Sequence, residues 1–248
     1  MSDDDISVVK VGGVCALLGA CAGIIGSVVG AVYGLGGQQI PVGDGAELLR
    51  LAQLQPHYVT REWLFLAYAV FATGEGVGLY YLTRRSSNIA LWALVAWFTG
   101  IVVGIVQDAI VVAFVHRFPA DYAAANAATR VILEPLARNV LAIVDVQQSV
   151  ANVLLSIGVA LYSVSILRTR TAIIGFGLFG IPAAAAGVFY ALVIVSGPQL
   201  AGLQPLAEQI FGLVVLWDIW AGIVMLRARR RDAVRTVHSA PAPDREGA

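Results

Sequence analysis

Six stretches of this chain are apolar over about 20 residues or more, and that leaves few folds open to it. They run approximately Val11–Leu35, Trp63–Leu82, Leu91–Val115, Gln147–Leu167, Ala172–Val195 and Pro205–Leu226. At a rise of about 1.5 Å per residue, each is long enough to cross some 30 Å of hydrocarbon as a helix. A backbone in hydrocarbon has to satisfy its own amides and carbonyls, which a helix does within one segment. The chain is 58 % hydrophobic and 13 % charged, against about a quarter charged in soluble domains. A single soluble core could not hide that much apolar surface. The expected fold is therefore all-α: a polytopic membrane helix bundle of six transmembrane helices.

The leader Ser2-Asp3-Asp4-Asp5 is acidic, whereas a secretory leader is basic, and the run behind it exceeds the usual ~7–15 residue core. The first stretch is thus expected to remain as an uncleaved helix. Positive charge in short loops sets orientation. Arg84 and Arg85 follow helix 2, Arg168 and Arg170 follow helix 4, and Arg227, Arg229, Arg230, Arg231 and Arg235 follow helix 6. Ser196–Gln204 carries no charge, and Lys10 precedes helix 1. Both termini are placed in the cytoplasm, in a multi-pass protein of the cytoplasmic cell membrane. Residues 1–235 read as a single transmembrane helical domain. Residues 236–248, with Pro241 and Pro243, read as a disordered cytoplasmic tail.

Two long connections, Gly36–Glu62 and His116–Val146, fall outside. The second is expected to be partly helical: Arg130, Glu134 and Arg138 have the i, i+4, i+8 spacing of a charge ladder, and Pro135 is expected to bend or break it. The charges and the proline disfavour a seventh crossing.

Helices in lipid associate through close packing at small residues. Gly19-x-x-x-Gly23, Gly26-x-x-x-Gly30-x-x-x-Gly34, Gly74-x-x-x-Gly78 and Gly100-x-x-x-Gly104 supply such faces, and helix 5 has Gly175, Gly177 and Gly180 before Pro182, which is expected to kink it. Packing within the chain is the main reading, and homo-oligomerisation through one of these faces is the alternative. Cys15 and Cys21 read as small buried residues, being badly placed to pair along one helix.

Ionisable residues at membrane depth usually face the bundle interior. Glu75 lies about 5 Å, and Asp218 about 3 Å, to the cytoplasmic side of the middle of its segment, so the two can share a level. Asp108 lies about 8 Å to the outer side. In helix 4, Asp145, Ser149, Asn152, Ser156 and Ser163 fall on one face, bordered by Gln148. The candidate site is therefore Glu75, Asp108, Asp145, Asn152 and Asp218, read as a polar cavity open toward the outside that could carry protons or bind a cation. The competing reading is that these groups only fix helix packing.

The order of features resembles a family of small multi-pass bacterial membrane proteins of unknown function. The resemblance rests on a Gly-rich first helix and a helical lead-in ending near Arg61-Glu62-Trp63. It also rests on the run Gln148-Ser149-Val150-Ala151-Asn152 through Arg168 before the helix beginning Gly175-Phe176-Gly177-Leu178-Phe179-Gly180. It covers roughly Ala46 to Val195 and implies a class without catalytic residues. The single lysine among many arginines, with Ala, Gly and Val richness, agrees with a GC-rich bacterial or archaeal genome.

No catalytic residue can be assigned. His57, His116 and His238 lack partners at metal-ligand spacing, so no metal site is expected. No phosphate-cradling loop or Gly-x-Ser-x-Gly elbow occurs, no lysine lies deep in a span, and no cofactor is implied. Zero net charge gives no field for nucleic acid, so membrane lipids are the expected partners. Three functions remain: handling a small molecule, lipid or ion; an intramembrane enzyme on a lipid or isoprenoid, with paired carboxylates among Trp97, Trp217 and Trp220; or a structural or regulatory subunit.

Overall fold

In the computed structural model, which describes residues 2–33, 45–84, 88–169, 172–196 and 199–228, the chain is all-helical. Its helices are α1 (Asp3–Val32), α2 (Gly45–Thr83), α3 (Ile89–Ala124), α4 (Ala127–Thr169), α5 (Ile174–Ser196) and α6 (Gln204–Leu226), with a short 3₁₀ turn at Ala201–Leu203 before the last. All six are long and apolar enough to cross a membrane. The described residues contain no strand. We call outer the side on which the α1–α2, α3–α4 and α5–α6 connections lie. Arg85, Arg170, Gly34 and the tail beyond Ala228 lie outside the described residues.

The acidic leader is the first turn of α1 rather than a tail before it. Ser2 Oγ accepts from the Asp5 amide at 3.1 Å, and Asp5 returns a bond to the Ser2 amide at 3.3 Å. This reciprocal cap satisfies amides that have no partner within the helix, and three carboxylates suit the positive end of its dipole. Asp5 also pairs with Arg84 at the end of α2, at 2.6 Å.

The long outer connections are largely helix. α2 begins at Gly45, and α3 and α4 are separated by a two-residue break at Ala125–Asn126, where Asn126 Oδ1 caps α4 by accepting from the Thr129 amide at 2.9 Å. The outer ends of α2, α3 and α4 pack around Tyr58, Val115, Tyr122, Ala137 and Leu141. This local core explains why helix persists beyond the apolar spans, and why α4 runs through Pro135 without ending there. The expected charge ladder turns inward instead: Tyr122 donates to Glu134 at 2.5 Å, and the Arg130 guanidinium donates to the Tyr122 and Ala123 carbonyls at 3.1 and 2.8 Å. α5 likewise continues through Pro182.

Sequential helices pack as antiparallel neighbours, and α1 closes the ring against α6. The glycines decide how close they come. A Cβ at Gly12 would lie 2.6 Å from Gly78 Cα, and one at Gly13 would lie 2.9 Å from the Gly222 carbonyl oxygen. Gly19 and Gly26 face Phe71, Leu64 and Phe65 of α2. The small-residue faces of α1 are thus covered within the chain. Cys15 packs on Gly74 and is partly exposed, whereas Cys21 is exposed, which corrects the expectation that both are buried. Both thiols are free.

Gly202 and Arg227 flank α6 at opposite ends, and the positive charge of the loops predicts which end is outside. In a chain whose two cysteines are replaced by alanine, Gly202→Cys is expected to react with an impermeant maleimide on intact cells. Arg227→Cys is expected to react only after permeabilisation. Reaction of both without permeabilisation would break the even-crossing arrangement.

Candidate functional site

The outer halves of α1 and α6 do not close on each other. They meet tightly at Gly13 and Gly222 on the inner side, and a cavity of about 650 Å³ opens between α1 residues 23–31 and α6 residues 208–219. α2, α3 and α4 form its back wall. At its mouth Ile24 and Val28 of α1 and Leu216 of α6 are about half exposed, so the cavity meets its surroundings along the α1–α6 seam. The volume lies within the ~300–1,000 Å³ typical of small-molecule sites.

The walls are apolar and aromatic toward the centre, with Phe65, Tyr68, Trp97 and Phe211. The polar groups gather at the outer end. Arg61, Glu62, Gln107, Asp108, Asn152 and Glu208 all line it. Arg61 and Glu62 are buried and pair at 3.4 Å, while the guanidinium also sits over the rings of Tyr58 and Phe65 at 5.1 and 5.3 Å. Asp108, on the face presented by Gly100 and Gly104, is within electrostatic reach of both. Asn152 is 9 % exposed, and its Nδ2 has no hydrogen-bond partner.

The sequence candidates therefore separate into groups. Asp108 and Asn152 line the cavity, and Asp145 sits half-buried further out on α4, outside the lining. Glu75 and Asp218 form a second site at a deeper level, 1 % and 0 % exposed, also outside the lining. They lie within electrostatic reach of each other, as their shared depth predicts. Glu75 Oε1 and Asp218 Oδ1 have no hydrogen-bond partner, while Asp218 Oδ2 accepts from Tyr68 at 3.1 Å. Tyr68 lines the cavity, so its hydroxyl links the two sites. Tyr68→Phe is expected to destabilise the protein by about 1–3 kcal/mol, because Asp218 loses that donor in a water-poor interior. Denaturant unfolding in micelles would measure it, and an unchanged midpoint would show that Asp218 does not depend on Tyr68.

The polar stripe of α4 also divides. Gln148, Asn152 and Ser156 reach the cavity, but the Ser156 and Ser163 hydroxyls occupy the space that side chains at Gly187 and Gly180 of α5 would fill. Both serines lie seven residues apart, as do the two glycines, so the inner part of the stripe is a packing seam between antiparallel helices. The tryptophans do not form one pocket. Trp97 and Trp217 pack together, with centroids 6.0 Å apart, and Trp97 donates to the Ala72 carbonyl at 2.8 Å. Trp220 turns to Phe176 and Phe179. Only Trp97 reaches the cavity.

Arg61, Glu62, Gln107, Tyr68 and Glu208 are cavity residues that sequence reasoning missed. The first two read as loop charges at the start of an apolar run. A signal was present: they form an acid–base pair one helical turn before Phe65, on a helix that continues outward through them. No group of three or more metal-ligating side chains occurs among the described residues. His57 instead stacks on Tyr33, with centroids 3.7 Å apart.

Fold and cavity together define the class: a multi-pass helical membrane protein with a chamber among its apolar helices, open along the α1–α6 seam. Compared with protein-family models, curated proteins and solved structures, the chain matches none.

Proposed function

We propose that this protein binds an amphipathic small molecule or lipid, taken laterally from the outer leaflet into the chamber between α1 and α6. One observation carries the reading: the chamber is apolar where it adjoins the exposed Ile24, Val28 and Leu216, and polar at its outer end. An amphipath in the outer leaflet has the same polarity gradient, with its head toward the outer surface and its tail toward the midplane. It could slide through the seam without either part being stripped into an unfavourable medium. The small-molecule and lipid reading gains over the enzymatic one expected from the sequence because Glu75 and Asp218, with Trp217 and Trp220, stand outside the chamber lining. It gains over the purely structural one because packing alone gives no reason to leave such a volume unfilled beside buried polar groups.

The test is extraction of the protein into lipid nanodiscs from its own membrane, followed by native mass spectrometry. A bound amphipath at near-unit stoichiometry, displaced by covalent modification of a Val28→Cys variant at the chamber mouth, supports the proposal. Protein that carries only a distribution of bulk lipids, unaffected by that modification, overturns it.

A further inference from the structure

We infer that the head group received at the outer end of the chamber is an amine-bearing cation, so the ligand class is a long-chain or lipophilic amine rather than a phosphate-headed lipid. This rests on the binding role proposed for the chamber and adds the chemistry of its polar end. Three carboxylates, Glu62, Asp108 and Glu208, line the chamber against one guanidinium, Arg61. That guanidinium already faces an acidic partner, although its Nη1 has no hydrogen-bond acceptor. It is 2 % exposed, held against Glu62 at 3.4 Å, and packed over two aromatic rings. A phosphate head would meet three carboxylates against this single guanidinium, which Glu62 already partly neutralises.

Asp108 points the other way. It is mostly buried, lies on the chamber wall, and receives no hydrogen bond from the described residues. A carboxylate in such a place calls for a donor, and an ammonium supplies both donor and charge. Glu208 is half-buried, with one oxygen accepting from Gln204 at 3.0 Å, and it gives the same end of the chamber a second acceptor. The orphan Nδ2 of Asn152, on the same wall, matches a hydroxyl or carbonyl oxygen beside the amine. Phe65, Tyr68, Trp97 and Phe211 then surround the adjoining carbons, and aromatic faces favour a cation over an anion.

Three probes with one tail isolate the head: dodecylamine, dodecanol and dodecyl phosphate, offered singly to the protein in phosphatidylcholine nanodiscs. Occupancy is read by native mass spectrometry, with empty nanodiscs giving the bilayer background. Dodecylamine is expected to bind about tenfold or more tightly than dodecyl phosphate, the size expected of one charge-assisted contact. That preference is expected to collapse in Asp108→Asn. Should that variant not fold, Glu208→Gln at the half-buried end of the chamber is expected to reduce it several-fold. Equal binding of all three probes, or a preference unchanged in the variants, overturns the amine assignment and leaves the chamber a binding site. Failure of every probe to bind the wild-type protein overturns both proposals.

Discussion

Replacing Gly12 with valine is expected to cost the bundle about 3 kcal/mol and to lower its thermal midpoint sharply, without any residue of the chamber being touched. The reason is geometric. A Cβ at Gly12 falls 2.6 Å from Gly78 Cα and 3.0 Å from the Gly74 carbonyl oxygen, and a Cβ at Gly78 falls 2.8 Å from Gly12 Cα. These obstacles are backbone atoms, which no rotamer change can move. The two helices must separate, and close approach is the main source of their attraction in lipid, where burial of apolar surface gives little. Gly78→Val is expected to behave alike. Gly104→Ala is the control, because its Cβ meets only the Ala151 Cβ at an ordinary 3.9 Å. Thermal unfolding in a single detergent, followed by size-exclusion chromatography, measures all three. A Gly12 variant as stable as the control would show that the α1–α2 crossing is looser than described.

Gly212→Phe is expected to do the reverse, removing ligand and leaving the fold intact. Gly212 lines the chamber from α6, and a Cβ there has nothing within 4 Å. A ring can extend into open volume without displacing backbone, and replacing glycine inside a helix recovers part of the roughly 1 kcal/mol that glycine costs there. The thermal midpoint should therefore hold or rise. A phenyl group would take up a good part of the mouth beside Phe211, so the amphipath copurifying with the protein should fall about tenfold, the effect of losing little more than 1.4 kcal/mol of binding. Retention of the ligand at wild-type occupancy would move the binding site elsewhere. The two substitutions together separate stability from binding, since glycines in similar helical contexts do opposite jobs.

The level shared by Glu75 and Asp218 was legible because depth in a membrane is a one-dimensional quantity. Residue count along each span, a fixed rise and the side set by the arginines were enough. Which groups face one chamber was not legible, because that depends on the rotation of each helix about its axis. Asp108 and Asp218 differ in depth by sequence, but only the fold shows that one lines the chamber and the other sits behind Tyr68. Ser156 and Asn152 share a stripe, yet Ser156 also fills the gap left by Gly187 while the Asn152 amide remains without a partner. α1 gave no hint of a site at all. It carries no charged residue in its outer half, and its part in the chamber comes only from leaving α6 beyond Gly13.

Six membrane-length helices and their order are local properties of the chain. Each follows from a segment's need to satisfy its own backbone in an apolar solvent, which is a local requirement. Tertiary structure alone decided which glycine faces pair, that Arg61 and Glu62 are interior, and that the α1–α6 seam stays open on the outer side. Those outcomes arise from helix rotation and crossing, where contacts between residues far apart in the chain compete, and no single segment contains the terms of that competition.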